Sequence, residues 1–592
     1  MSLPAAKWTR WAWGSVLALA LATRLFGLPT FPLAPVEAEH ALASLDAVRG
    51  EGWVGSSDSP LLLVGNGLLF LLFGAGDGIA RLLPALAGVG LVLLPWLWRR
   101  QLGELGALCA STLLLISPLT LFAARRVDGA ALAALGGGLI VTVMVWALAP
   151  SPEGSSSSAA WPQLFLGSAV AVGLISGPAF YDVLLAGLLA GVLLRRWRSG
   201  QEFRLHWLRP VLSGVGVALL ISIAVGFRWS GWSGPLDPLA AWLASWRAAR
   251  TSGVGPLTLL GCYEPLLLAC AVMAVILFSV RREDATPVFG FLGVWALLML
   301  LLIMARPGAL SAESSVIVLP LALLAGQAAT ALFAGIGEGA HRWVGLHAWV
   351  GFLFWIPGLV ALTQYAAGFV YVDQAPLLLV GMVVLLALQG LLGFVLSLRL
   401  LPRDLWRGAV LGLGGALFVL QASFLFGLVY LRADSPAELA VGVAASQDLR
   451  RLEEMVHQIA ILRDTRQDAL AIFAVDQDPE LSSLIRWTLR DFSRLELVAD
   501  WPQVTTQDID ASVRAPLVIT PESAVVTQPA DAQGWQGMRF VALTSSDAVP
   551  PQCEELPLPL CSSAVRWYLY RGLPGIPAAK NLILWQQDEV GW

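Results

Sequence analysis

The chain has 592 residues, 57% of them hydrophobic and only 13% charged, with a formal net charge of −4. Soluble globular chains carry roughly 25% charged residues, and long soluble chains split into domains rather than grow one giant core, so the deficit points to lipid as the solvent. The charge balance excludes a basic nucleic-acid-binding surface. Because only Lys7 and Lys580 are lysines, an arginine at any one position is weak evidence for phosphate.

A helix needs about 20 mostly apolar residues to cross the hydrocarbon. In chain order such runs centre on 11–28, 79–98, 105–124, 129–148, 160–175, 179–195, 210–227, 257–279, 287–305, 314–334, 344–366, 376–398 and 408–431. They predict a polytopic α-helical membrane protein of about thirteen spans. The first run lacks a small-residue cleavage site and reads as a helix, not a secretory signal. Pro60–Gly74 is apolar but too short to span, and reads as a helix lying along the interface or re-entering it. Arg24, near the outer end of the first span, is expected to snorkel.

Positive charge falls in alternate short loops: Lys7 and Arg10, Arg99–Arg100, Arg195–Arg196–Arg198, Arg281–Arg282, His341–Arg342 and Arg399–Arg403–Arg407. That bias places the N-terminus in the cytoplasm and everything after Leu431 outside, in the cell membrane. Arg125–Arg126 then lies outside, against the tendency. Residues 151–160 (SPEGSSSSAA) read as a flexible cytoplasmic linker. Two outer loops are long, 27–78 and 228–255. The second holds Trp229, Trp232, Trp242 and Trp246, either as an interfacial anchor or as a lid over a lipid-facing site.

Two domains follow: a membrane part, 1–431, and an extracytoplasmic α/β tail, 432–592. In the tail 436–466 reads as helix. Ala469–Val475, Leu495–Ala499, Ala515–Thr520, Met538–Leu543 and Leu582–Trp585 read as strands, with Pro479–Phe492 a helix between the first two. No glycine-rich phosphate loop, nucleophile elbow or metal cluster stands out there. Cys109, Cys262 and Cys270 read as small core residues. Cys553 and Cys561 suit a disulfide if the tail is outside.

Chemistry concentrates in the outer loops. Residues 36–49 form an amphipathic helix candidate with Glu37, Glu39, His40 and Asp46. Glu37 and His40 share a face at i and i+3, a pair suited to a metal, to base catalysis, or simply to solvation. Asp58 is a further acid in this loop. Arg125, Arg126 and Asp128 sit between two spans. Asp128 either neutralises an arginine, or the arginine forks await a lipid phosphate.

The order of features resembles the GT-C superfamily of membrane glycosyltransferases, nearest the protein O-mannosyltransferase and aminoarabinose-transferase type (GT39/GT83). The matching positions are Glu37–Ala38 on a first-loop helix, Pro60, Phe73–Gly74, Arg81–Leu82–Pro84–Ala85–Leu86–Gly88, Ser117–Pro118 and Arg126–Val127–Asp128. Cys262–Tyr263–Glu264–Pro265–Leu266–Leu267 and Ser483–Phe492 (SLIRWTLRDF) are similar to segments of a flippase-associated subfamily. The resemblance implies a sugar carried on polyprenyl phosphate, an extracytoplasmic acceptor and inversion at the anomeric carbon. It implies an acidic first-loop base, here Glu37 or Glu39, with Asp128 a further acid. Arg81, Arg125, Arg126, His40, Asp58, Tyr263 and Glu264 would line the substrate. No cofactor is implied, and a divalent ion is left open. The family's catalytic aspartate should precede Glu37, where this chain has Val36. A scaffold that keeps the fold without the reaction is therefore the second expectation. A transporter is the third, disfavoured by the scarcity of mid-membrane charge.

Overall fold

In lipid every backbone N–H and C=O must be satisfied within its own segment, so apolar runs become helices. The structure, a computed structural model, describes residues 5–587 apart from 51–57, 149–159, 198–207, 224–232, 249–254, 281–286, 334–339, 368–374, 399–400, 464–469, 501–516, 524–534, 547–561 and 572–576. Its first helices are α1 (Ala5–Leu25), α2 (Pro35–Arg49), α3 (Pro60–Phe73), α4 (Asp77–Ala80), α5 (Leu82–Leu93), α6 (Arg99–Leu115), α7 (Pro118–Ala124) and α8 (Ala130–Leu148). Then come α9 (Ala160–Leu174), α10 (Ala179–Trp197), α11 (Leu208–Ser222), α12 (Asp237–Ser245), α13 (Pro256–Tyr263), α14 (Pro265–Val280) and α15 (Pro287–Ala305). The last helices before the tail are α16 (Val318–Phe333), α17 (His341–Ala367), α18 (Ala375–Ser397) and α19 (Pro402–Phe426).

Among the described residues five helical stretches are long and apolar enough to cross a membrane: Leu82–Leu115, Pro287–Ala305, Ser311–Phe333, His341–Ala361 and Asp404–Leu431. The bent pair α13–α14 would make a sixth, and shorter apolar helices of 10–17 residues, α3 among them, account for further predicted runs. Two of those runs are interrupted, and a third break falls between the predicted runs 79–98 and 105–124. The stretch 82–115 is broken at Gly103, whose φ of 74° and ψ of 161° lie in a region essentially restricted to glycine. The run 105–124 stops at Leu115 and restarts at α7, where Ser117 Oγ accepts the Thr120 N–H at 3.2 Å and Pro118 takes the first helical position. The run 257–279 bends by 103° between Tyr263 and Pro265.

Arg24 does not snorkel. It is fully buried and donates to the carbonyls of Leu114 (3.1 Å) and Leu115 (3.4 Å), which end α6 and have no intrahelical donor. Trp242 also turns inward, its Nε1 donating to Asp182 at 2.8 Å. Trp229 and Trp232, residues 151–159 and the Cys553–Cys561 pair lie outside the described residues.

The tail contains α20 (Asp448–Leu462), α21 (Pro479–Thr488) and α22 (Ser562–Tyr570). Its strands are β1 (Val443–Ala445), β2 (Ile472–Val475), β3 (Leu495–Val498), β4 (Leu517–Pro521), β5 (Trp535–Ser545) and β6 (Ala578–Gln587). They form one mixed sheet in the order β1-β5-β6-β4-β2-β3. β2 is parallel to β3 and β4, with α21 as the crossover between β2 and β3, and β5–β6 is antiparallel. The predicted helix 436–466 begins only at Asp448, because β1 occupies its start as an edge strand paired to β5.

Among the described residues several contacts tie the tail to the membrane part, and two of them are built on charge. The SLIRWTLRDF segment grips the first long loop, predicted over 27–78: Arg486 pairs with Asp46 at 3.0 Å, Trp487 Nε1 donates to Asp77 at 2.8 Å, and Arg49 donates to the Arg490 carbonyl at 2.7 Å. The second is a buried node at Glu438, which accepts from Tyr263 Oη (2.6 Å), Arg432 Nε (2.6 Å) and Arg571 Nε (3.3 Å). Arg571 sits over the Tyr263 ring at 4.8 Å and donates to the Cys262 carbonyl at 3.1 Å, so it is held by the bend of α13–α14. Glu438→Ala would leave this guanidinium buried without its counter-charge, and removing one partner of a buried pair costs about 3–5 kcal/mol. The expected result is a lowered unfolding midpoint of the protein in lipid nanodiscs. A loss under about 1 kcal/mol, the range of exposed pairs, would mean that the node is not a joint.

Candidate functional site

The site grows from α2. Pro35 starts this helix with its φ already set. Gly50, at φ 78°, ends it in the left-handed conformation that glycine adopts without strain. Between them Glu37 faces inward, buried to 3% exposure, while Val36 (46% exposed) and Glu39 face outward.

Glu37 is saturated. Oε1 accepts from Arg81 Nε at 3.1 Å and from the Val127 N–H at 2.9 Å; Oε2 accepts from Arg81 Nη2 at 2.9 Å and from the Ala34 N–H at 3.0 Å. Burial by itself would raise this carboxyl. The Arg81 charge, Arg126 beyond it and these hydrogen bonds outweigh burial and hold it down at about 2. Arg81 spends its remaining donors on the carbonyls of Leu28 (3.0 Å), Phe31 (2.7 Å) and Pro32 (3.1 Å). The pair is thus a clasp joining the loop 28–37, the entry to α5 and the segment after α7.

Arg125 and Arg126 face different surroundings. Arg125 donates to the carbonyls of Thr23 (3.1 Å), Arg24 (3.3 Å), Phe26 (2.6 Å) and Gly27 (2.7 Å), capping the C-terminus of α1. Arg126 lies over the Phe122 ring at 5.2 Å, and among the described residues its guanidinium meets no protein hydrogen-bond acceptor. Both line an open cavity with Phe31, Glu37, Arg81 and, from the segment entering the tail, Asp434 and Val443–Ala445.

Asp128 lies just beyond Arg126 and does not line that cavity. One oxygen accepts the Ala130 N–H at 2.9 Å, which caps α8. Burial pushes its carboxyl up to about 7; the Ala130 hydrogen bond and Arg126 oppose this, and the charges of Glu37 and Glu313 reinforce it. A base works best with a pKa near the working pH. His40 is lowered by burial, against the charges of Asp58, Glu39 and Glu37, so these first-loop groups form one electrostatic cluster. No three of them come close enough to hold a metal ion; among the described residues only Glu453, His457 and Asp491 in the tail do.

Tyr263 and Glu264 stand apart from the cavity. Tyr263 belongs to the Glu438 node. Glu264 is fully buried at the α13–α14 bend and accepts from Ser117 Oγ (2.5 Å), the Leu119 N–H (3.1 Å) and Gln421 Nε2 (3.0 Å). Two stretches far apart in sequence, Ser117–Pro118 and Tyr263–Glu264–Pro265, therefore meet. Sequence reasoning missed the Glu438 node and a second group: Arg306 pairs with both Asp182 (2.8 Å) and Glu313 (2.6 Å), all three buried. The available signal was the presence of three ionisable residues in or beside apolar runs, which lipid tolerates only when they pair.

Helices around a cluster of loops, with an α/β tail seated on the first of them, make a fold that solved membrane-protein structures share. Two structures of ArnT from Cupriavidus metallidurans share it. The one bound to undecaprenyl phosphate matches with a TM-score of 0.54 at 17% identity, over 88% of this chain and 94% of that one. The apo state matches with 0.51 at 17% identity, over 86% and 92%. No protein-family profile matches the chain, and no curated protein matches it.

Proposed function

We propose that this protein moves a sugar from a polyprenyl phosphate carrier to a hydroxyl acceptor on the outer face of the cell membrane, with the N-terminus in the cytoplasm and the tail outside. The observation that carries the reading is the pairing of a cavity-lining arginine with free donors, Arg126, and a half-buried acid poised near neutrality, Asp128, two residues apart on a GT-C fold. The undecaprenyl phosphate bound by the ArnT structure supports the lipid class. In this reading Asp128 takes the proton of the acceptor hydroxyl as its oxygen attacks the anomeric carbon. The bond from that carbon to the phosphate oxygen breaks on the opposite side. Arg126 stabilises the charge that develops on the departing lipid phosphate. Glu37 and Arg81 position both groups through Val127.

The direct test is transfer of radiolabelled sugar from polyprenyl phosphate by the protein in nanodiscs. Arg126→Ala is expected to raise KM for the lipid donor at least about tenfold, since charge-assisted hydrogen bonds contribute roughly 1.5–3 kcal/mol. Arg125→Ala should instead lower the unfolding midpoint, because it uncaps α1. Equal donor KM values for Arg126→Ala and wild type would remove Arg126 from the site.

A second reading, a non-catalytic scaffold, is favoured by Val36, which is exposed at the position where the family carries its acid. It predicts that the wild-type chain transfers no sugar and that Val36→Asp gains transfer.

A further inference from the structure

The tail carries a set of side chains that the proposed reaction does not use. Within SLIRWTLRDF, Leu484, Ile485, Trp487, Leu489 and Phe492 are buried in the tail core, and Arg486 and Arg490 face the first outer loop. Asp491 is exposed and does neither. It faces α20, where Glu453 and His457 are four residues apart and so lie one above the other on the same face.

We propose that Glu453, His457 and Asp491 bind one divalent transition-metal ion, zinc by the chemistry of the set. One ligand atom from each lies within 4.8 Å of the others. Zinc bonds of about 2.0–2.2 Å to imidazole nitrogen and carboxylate oxygen allow ligand atoms up to roughly 4 Å apart. Side-chain rotation, in which the exposed Asp491 is the least constrained of the three, would bring the set to that spacing. One imidazole with two carboxylates suits zinc better than magnesium, which prefers all-oxygen surroundings. The Phe492 ring, 4.9 Å from the imidazole and tilted by 48°, helps fix its orientation. Arg450, on the same helix as Glu453 and His457, is already paired with Asp77 at 3.5 Å. A bound ion would lock α20 to the segment that grips the first outer loop, stiffening the seat of the tail on the membrane part.

The experiment is equilibrium dialysis of zinc against chelator-stripped, untagged, full-length protein in nanodiscs, with the unfolding midpoint read in parallel. One zinc per chain is expected at micromolar concentration. His457→Ala and Asp491→Asn should each weaken binding at least tenfold and abolish the zinc-induced rise in midpoint. His40→Ala, in the other cluster of acids and imidazole, should change neither. Absence of zinc binding by the wild type would overturn the proposal, as would zinc lost with His40→Ala but retained with His457→Ala. Because Asp491 is exposed, Asp491→Asn carries the test even if His457→Ala folds poorly.

Discussion

Asp128→Asn is expected to lower sugar transfer by two to four orders of magnitude, the usual contribution of a positioned general base, with little change in stability. The amide oxygen can still accept the Ala130 N–H, so the α8 cap survives. The pH profile adds a signature that a structural role would not produce. With a carboxyl at about 7, the base form is about a tenth of the population at pH 6 and predominates by pH 8. Transfer by the wild type should therefore rise with pH and level off above 7, and residual transfer by Asp128→Asn should show no such step. A variant that transfers at the wild-type rate, or a wild-type profile flat from pH 6 to 8, would exclude Asp128 as the base.

The second large effect concerns the clasp. Glu37→Gln keeps the shape but replaces one acceptor by an amide NH₂, which must then face Arg81, the Val127 N–H or the Ala34 N–H, all of them donors. Breaking a buried pair in this way costs about 3–5 kcal/mol, measured as a lowered unfolding midpoint with disordering of the first outer loop. Acid should do the same to the wild type. The Glu37 carboxyl is depressed from 4.5 to about 2 in the folded protein. Its contribution is therefore fully present above about 4.5 and lost as pH falls toward 2, a difference of about 3 kcal/mol. Glu37→Gln and Arg81→Ala combined should cost clearly less than the sum of the two, because the second removes a partner already lost. Additive losses would mean that the two side chains act separately. As a positioning residue Glu37 should also affect kcat at pH values where the variant is fully folded, with Glu37→Asp recovering part of it.

Much of the architecture was legible in one dimension. Apolar runs and alternating basic loops follow from the bilayer's demand that backbone groups be satisfied locally. The α/β character of the tail and four of its strands beyond β2 were visible as β-prone segments. The short edge strand β1 was not, since three residues carry too little pattern. The loops that hold the charged residues were also legible, because charge is rare enough in this chain to stand out between the apolar runs.

What a charge does there was not legible. Arg125 and Arg126 are adjacent, chemically identical and line the same cavity, yet one spends its donors on the carbonyl end of α1 and the other does not. Tyr263 and Glu264 are adjacent too, and a 103° bend sends them to different partners. By itself the sequence determined the helical architecture, the lipid solvent and the α/β character of the tail, since these follow from local composition and period. Only the tertiary structure decided that Glu37 is clasped and Asp128 is left poised, because a carboxylate's protonation depends on the donors and charges that distant segments bring to within a few ångströms.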